Sequence, residues 1–303
     1  MSSLRSPVPL PMRDGVAPSY LWLPEGQWPD MISFLLERYP QISAAQWQDR
    51  MGRGEVVNGD GAVLGPDSAY RRGMRIFYYR ELERETPIPF HEEILFQDAH
   101  LLVVDKPHFL PMTPGGRFVQ ETLLTRLKKQ LDSADLTPIH RLDRETAGVV
   151  IFSRQIASRG AYQSLFQRRE VRKTYEALAP ILRRGDFPLD FPFTYRSRMV
   201  EGEQFFLMRE EAGEPNSETV IDVIERRGDL CLYRLQPHTG RKHQLRVHLA
   251  ALGIPIVNDA FYPLALPCKA DDMSQPLQLL ARAIDFTDPL SGEPRHFESR
   301  RSL

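Results

Sequence analysis

The stretch 217–240, SETVIDVIERRGDLCLYRLQPHTG, decides the fold. Apolar and polar residues alternate on both sides of Arg227 and Gly228, the pattern of two antiparallel strands with one buried face and a turn between them. Thr239 and Gly240 then precede a helix predicted from about Arg241 to Leu252, ended by Gly253. Leu245, Leu249 and Leu252 recur at helical spacing and face a core. His243 and Arg246, three residues apart, share a neighbouring face from which both can reach a cleft.

The same pattern recurs upstream. ILFQDAHLLVVDKP (94–107) reads as two short strands, 94–96 and 101–104, closed by Lys106 and Pro107. Val149 to Phe152 is a short apolar run rich in β-branched residues, a buried strand for which Gly148 supplies the turn. Sheets made mainly from hairpins, with a few helices between, predict an α+β fold: a mixed, largely antiparallel sheet with flanking helices.

The amino-terminal third has a different character. Residues 1–20 carry four prolines and no periodicity, predicting an extended or disordered arm. Residues 30–50 read as two helices broken at Pro40, one with Met31, Phe34, Leu35 and Tyr39 on its apolar face, the other with Ile42, Ala45 and Trp47. GRGEVVNGDGAVL (52–64) follows, and its Asn58–Gly59 step is a hairpin turn signal. The segment 81–93 holds five acids and two prolines, a composition suited to a linker. The expected division is an arm at 1–20, a small α/β domain at 21–80, a linker at 81–93 and a larger domain at 94–303.

With 39 basic against 40 acidic residues, the chain has a formal net charge of −1, unlike dedicated nucleic-acid binders. Charge is unevenly spread, however. From Arg141 to Arg184 there are ten Lys/Arg (141, 144, 154, 159, 168, 169, 172, 173, 183 and 184) against four acids, a possible phosphate-facing surface or a solvated helix face. Cys231 and Cys268 form no disulfide framework or metal spacing, which fits a reducing compartment. No apolar run is long enough to span a bilayer and no secretory signal is visible, so a cytoplasmic protein is expected, with a monomer as the default.

HRLDRETAG (140–148) places Asp143 between Arg141 and Arg144. Cationic neighbours favour the charged form of an acid, and an ionised, positioned carboxylate can act as a nucleophile. His140, His238, His243 and His248 raise a metal reading, but their spacing matches no recognisable zinc pattern, so no metal and no cofactor is expected.

HRLDRETAG (140–148), RKTYEAL (172–178) and TGRKHQLRVHLAALGIPIVND (239–259) together resemble the RluA family of RNA pseudouridine synthases, over about 94–286. The two helices and the Val-Asn-Gly hairpin resemble the small RNA-binding domain that precedes the catalytic domain in many such enzymes, although 42–54 carries fewer basic residues than is usual there. The resemblance implies the pseudouridine synthase fold and isomerisation of uridine to pseudouridine in ribosomal or transfer RNA, without a cofactor. It implies Asp143 as the catalytic carboxylate, Tyr175 as a phenol that stacks on the detached base, and Arg246 as the arginine that pairs with Asp143. Arg141 matches a residue that occupies the gap left by the extruded nucleotide. His140, Lys173, Arg241 and His243 complete the expected RNA-contacting set. Two positions depart from the pattern: Asn258 stands where glycine is common, and Leu280 where histidine is frequent. The rival readings are an RNA-binding chaperone with secondary catalysis and, more remotely, a metal-dependent hydrolase.

Overall fold

The computed structural model describes residues 8–82, 84–182, 190–266 and 272–303. The chain divides into two compact units. One is Met1–Glu85 with Pro114–Gln120 and Thr125–Ala134, and the other is Thr86–Thr113 with Glu121–Leu124 and Asp135–Leu303. Two short segments expected within the larger domain, 114–120 and 125–134, thus cluster with the first unit.

The first unit contains β1 (Ser19–Trp22), α1 (Met31–Arg38), α2 (Ala44–Gly52), β2 (Val56–Asn58) and β3 (Arg75–Tyr78). Asp30 caps α1 by accepting the Ser33 N–H, and Ser43 with Gln46 forms a capping box on α2, so Pro40 falls in the break between helices. The strands run in the order β1-β3-β2, all antiparallel. Alternation sends Leu21, Val56, Ile76 and Tyr78 to one face, where they meet Met31, Phe34, Leu35, Trp47 and Met51 of the helices. The turn expected at Asn58 forms, with its side-chain oxygen accepting from the N–H groups of Asp60 and Ala62. Val63 returns only as an isolated bridge to Val57, and the ladder partner of β2 is β3.

Residues 8–18 are held against their own unit. The Tyr79 hydroxyl donates to the Pro11 carbonyl, and Arg13 lies 4.0 Å over the Tyr79 ring while pairing with Glu55. Residues 19 and 20, assigned to the arm, begin β1. Glu81 pairs with Arg50 and Arg53, so part of the acidic segment serves the first unit; Glu83 lies outside the described residues.

The second unit is built on β4 (Glu93–Gln97), β5 (Leu101–Lys106), β6 (Thr137–Pro138), β7 (Ala147–Ser153), β8 (Arg172–Pro180), β9 (Phe193–Glu201), β10 (Met208–Glu211), β11 (Ser217–Arg227), β12 (Leu230–Pro237), β13 (Leu279–Thr287) and β14 (Pro294–Glu298). Its helices are α4 (Ile156–Gln167) and α5 (Gln244–Ala251), while α3 (Leu123–Leu131) starts here and has most of its residues in the first unit. These strands form one 11-stranded sheet whose main path is β10-β9-β11-β12-β8-β13-β7-β5-β4. Among the described strand pairs only β13 with β7 is parallel, so the sheet is mixed and largely antiparallel, an α+β fold. The hairpin at 217–237 is present in full as β11 and β12.

Gly148 has a different role from the expected turn. It lies within β7 at φ +114°, and a Cβ there would fall 2.2 Å from the Ala281 carbonyl oxygen. Glycine lets β7 and β13 approach at their parallel crossing, directly after the Asp143 loop. Leu245, Leu249 and Leu252 join Tyr233, Leu235, Ile221 and Leu279 in the core beneath α5, as their spacing predicts. Cys231 is buried in that core, whereas Cys268, Arg183 and Arg184 lie outside the described residues. No helix among the described residues is long and apolar enough to cross a membrane.

Candidate active site

Asp143 stands in the loop between β6 and β7, its side chain 24% exposed. The loop is pinned from behind by the residues after β5. Lys106 is fully buried and its ammonium donates to the carbonyls of Pro107 (2.9 Å), Leu110 (2.8 Å) and Arg144 (3.1 Å). Burial pulls its pKa down to about 7, with Glu145 and Asp143 opposing that fall. His108 holds the Glu145 carbonyl at 2.6 Å, and Arg144 donates from Nε to the Phe109 carbonyl at 3.0 Å. Arg144 is therefore occupied in bracing the loop. Arg141 is exposed and makes no ion pair with Asp143.

The residue that presses most closely on this carboxylate comes from α5. Arg246 is 1% exposed, and its Nη1 lies 3.6 Å from Asp143 Oδ2, beyond hydrogen-bond range. Its bidentate partner is a different acid, Asp259, reached from Nε at 2.8 Å and from Nη2 at 2.6 Å. Asp259 Oδ1 also accepts the backbone N–H groups of Phe261 and Tyr262. Nη1 has no hydrogen-bond partner, so the guanidinium is locked by one carboxylate and presents an unused donor toward the other. Burial works against the Arg246 charge, but the Asp259 hydrogen bonds hold its pKa above the ordinary value.

His243 contributes from the left-handed region, at φ 56°. Its Nε2 lies 3.8 Å from Asp143 Oδ2, and its Nδ1 is 2.8 Å from the Tyr262 hydroxyl. Burial lowers its pKa to about 4, so the ring is neutral near pH 7. A Tyr262 hydroxyl that donates to Nδ1 leaves the ring proton on Nε2, the nitrogen nearer Asp143. Helix α5 starts at Gln244, three residues later than Arg241, because a turn closed by the Gln244 N–H donating to the Arg241 carbonyl precedes it. Gln244 secures it, accepting from the Thr239 hydroxyl and Arg241 N–H and donating to the Glu218 carbonyl and the Thr219 hydroxyl.

Tyr175, on β8 opposite Leu235, packs against the core and lines the same cavity as Asp143. Burial, reinforced by the Asp143 charge, raises its pKa well above that of a free phenol, which keeps it protonated. Lys173 donates to the Thr239 carbonyl at 3.4 Å, and burial lowers its pKa, with Arg169 adding to the effect. His140 accepts the Ile151 N–H at Nε2 and stacks on Phe166 at 4.8 Å, which ties the start of the loop to β7. Burial lowers its pKa to about 3.

All eight expected site residues, Asp143, Tyr175, Arg246, His140, Arg141, Lys173, Arg241 and His243, line one cavity of about 870 Å³. That volume lies in the range of roughly 300–1,000 Å³ typical of small-ligand sites and can take a nucleotide. The basic run separates in space. Arg141, Arg144, Arg169 and Lys173 line the cavity, together with Arg241 and Lys242. Arg154 and Arg159 donate instead to backbone carbonyls, Arg168 pairs with Glu170, and Arg172 with Asp285. Among the described residues no group of three or more His, Cys, Asp or Glu side chains could hold a metal ion. His248 is committed to Ser217 through Nε2 and to Thr219 through Nδ1.

Sequence reasoning missed Asp259, Gln244 and Tyr262, because each acts through a partner distant in the chain. Of these only Asp259 had a local signal, its neighbour Asn258. Asn258 adopts φ 64°, a conformation that glycine or asparagine tolerates, which explains the replacement of one by the other. Leu280 is completely buried in β13.

Comparison with known proteins places the chain in a family. Residues 100–251 match the family model described as RNA pseudouridylate synthase. The dual-specificity RNA pseudouridine synthase RluA of Yersinia pestis is 35% identical over 214 residues, covering 68% of this chain and 97% of that protein. An uncharacterized RNA pseudouridine synthase of Synechocystis is 29% identical over 238 residues, covering 77% and 79% of the two chains. The solved structure of human RNA pseudouridylate synthase domain containing 4 superimposes with a TM-score of 0.54 at 27% identity, covering 69% of this chain and 88% of that one.

Proposed function

We propose that this chain, which belongs to the RNA pseudouridylate synthase family, converts uridine to pseudouridine in ribosomal or transfer RNA with Asp143 as its catalytic carboxylate. The observation that carries the reading is the partly exposed Asp143 carboxylate, faced by the Nη1 of a buried Arg246 that has no hydrogen-bond partner, inside a cationic cavity. The bond from uracil nitrogen 1 to the ribose breaks, the base turns within the cavity, and carbon 5 bonds to the sugar. The hydrogen lost from carbon 5 is balanced by one gained at nitrogen 1, so no cofactor or water is consumed. Asp143 serves either by attacking the anomeric carbon or by deprotonating next to it, and both routes return the carboxylate unchanged.

Arg246, immobilised by Asp259, stabilises the carboxylate whenever it regains its charge. Tyr175 supplies a neutral aromatic face for the detached base. Arg141, Lys173, Arg241 and His243 contact the RNA, and His140 positions Arg141. The first unit is a small RNA-binding-like domain and the second the catalytic domain. The dual-specificity relative supports targets in more than one RNA. The enzyme works in the cytoplasm as a monomer.

The test uses RNA tritiated at uridine carbon 5. Wild-type protein is expected to release tritium, and Asp143→Asn to lose more than about 10⁴-fold of that rate while folding and binding RNA normally. Retention of tritium by a folded, RNA-bound wild type rejects the reading. Mapping pseudouridines in total RNA from wild-type and deletion cells then identifies the target.

A further inference from the structure

The face of the first unit's sheet that points away from α1 and α2 carries an open aromatic and cationic ledge. Tyr20 and Trp22, on β1, are 57% and 58% exposed. Their neighbours across the ladder are Phe77 and Arg75 of β3. The Arg75 guanidinium lies 4.2 Å from the Tyr20 ring centroid, 4.5 Å from that of Phe77 and 5.6 Å from that of Trp22. Its Nε is buried without a hydrogen-bond partner, and no carboxylate among the described residues pairs with it. Arg71 and Arg72 stand just before β3, where Gly73 and Met74 bond to Leu23 at the end of β1. Arg72 has one exposed partner, Glu25, and Arg71 has none among the described residues.

On the helical side of the same unit most arginines are already matched, while Arg38 at the end of α1 lies over the Tyr39 ring. Arg50 is paired with Glu81, Arg53 with Asp49, Glu55 and Glu81, and Arg13 with Glu55. A phosphate approaching there competes with carboxylates already in place. The ledge offers the reverse: two solvent-facing rings, a cation held over them, and unmatched positive charge alongside.

We propose that Tyr20, Trp22 and Arg75 form a stacking platform for unpaired nucleotides of the RNA substrate. Every base has a π face, so rings with a neighbouring cation hold single-stranded RNA without reading its sequence, while Arg71 and Arg72 meet the backbone. A duplex keeps its bases stacked inside and gains little from the platform. The proposal rests on RNA being the substrate and is independent of which residue performs the chemistry.

The test measures binding of the full chain to fluorescein-labelled single-stranded oligouridylate and, in parallel, to a blunt RNA duplex. Tyr20→Leu/Trp22→Leu keeps apolar bulk on the strand and removes the rings. It is expected to weaken oligouridylate binding by about tenfold to a hundredfold, with duplex binding unchanged. Oligouridylate is also expected to quench the fluorescence of the wild type through Trp22, the exposed one of its three tryptophans, and to quench the variant far less. Trp22→Phe, which retains an aromatic face, should keep most of the affinity.

A folded double variant that binds oligouridylate like wild type overturns the proposal. So does a variant that loses concentration-dependent self-association with RNA affinity intact, which assigns the ledge to a protein interface. Tritium release is a separate readout: its absence in wild type rejects the catalytic reading and leaves the ledge standing on the binding result.

Discussion

The helix side of the first unit and the cavity of the second use arginine in opposite ways. In the first unit Arg13, Arg50 and Arg53 each meet a carboxylate, and the charge is spent on holding the fold. In the cavity Arg246 is also gripped by a carboxylate, yet it retains a third donor aimed at Asp143. Arg141 and Arg169 line the same cavity, exposed and without ion pairs among the described residues. Charge matched inside the protein has little left for a ligand. Charge left unmatched at a cavity is what a polyanion can neutralise.

The contrast is broken most severely at Asp259. Asp259→Asn leaves the buried Arg246 without its fork partner, and a loss of about 3–5 kcal/mol of stability is expected by denaturant unfolding. Asp143→Asn removes only a 3.6 Å contact from a partly exposed acid, so its stability should stay within about 1 kcal/mol of wild type. Equal losses in the two variants contradict the assignment of Asp259 as the structural partner and Asp143 as the reacting one.

Gly148→Ala should follow in size, at about 3 kcal/mol or more, because the added Cβ meets the Ala281 carbonyl and the φ of +114° is unfavourable to an L side chain. Wild-type stability in this variant means that β7 and β13 do not approach as described.

Acid should weaken the second unit through its buried histidines. Burial lowers His108, His243 and His248 to about 4 and His140 to about 3, against an ordinary value of 6.5. As pH falls from about 6.5 to about 4, the unfolded chain takes up protons that the folded chain refuses. Their stabilising contribution is complete above about pH 6.5 and declines through that window. The thermal midpoint should drop accordingly, and the effect fails if it is flat between about pH 7 and pH 4.5.

The smallest expected effects sharpen the comparison directly. Arg169→Ala should weaken RNA binding a fewfold and reduce its salt dependence by about one unit of slope. Arg53→Ala should leave both unchanged, since that guanidinium already faces Asp49, Glu55 and Glu81. A loss of RNA affinity in Arg53→Ala would reopen the helix side as a binding surface.

Much of the fold could be read locally. Alternation in 217–237 gave the β11–β12 hairpin, and the spacing of Leu245, Leu249 and Leu252 gave the core face of α5, because strand and helix periods impose their own sidedness. The helix starts three residues later than the sequence predicts, since the turn at 241–244 is stabilised by Gln244 reaching Glu218 and Thr219 across the fold. The basic run at 141–184 looked like one surface. Only Arg141, Arg144, Arg169 and Lys173 of its described members line the cavity, because α4 and β8 direct the others elsewhere.

What the sequence determined by itself was a set of candidate groups, a carboxylate at 143, a phenol at 175 and an arginine at 246, and the strand and helix periods that carry them. The tertiary structure decided their partnerships. Arg246 has one planar fork, and Asp259 takes it through two bonds, leaving a single donor for Asp143 at 3.6 Å. A fork can satisfy one carboxylate bidentately, and which of two acids far apart in sequence receives it depends on distances that only the folded chain sets.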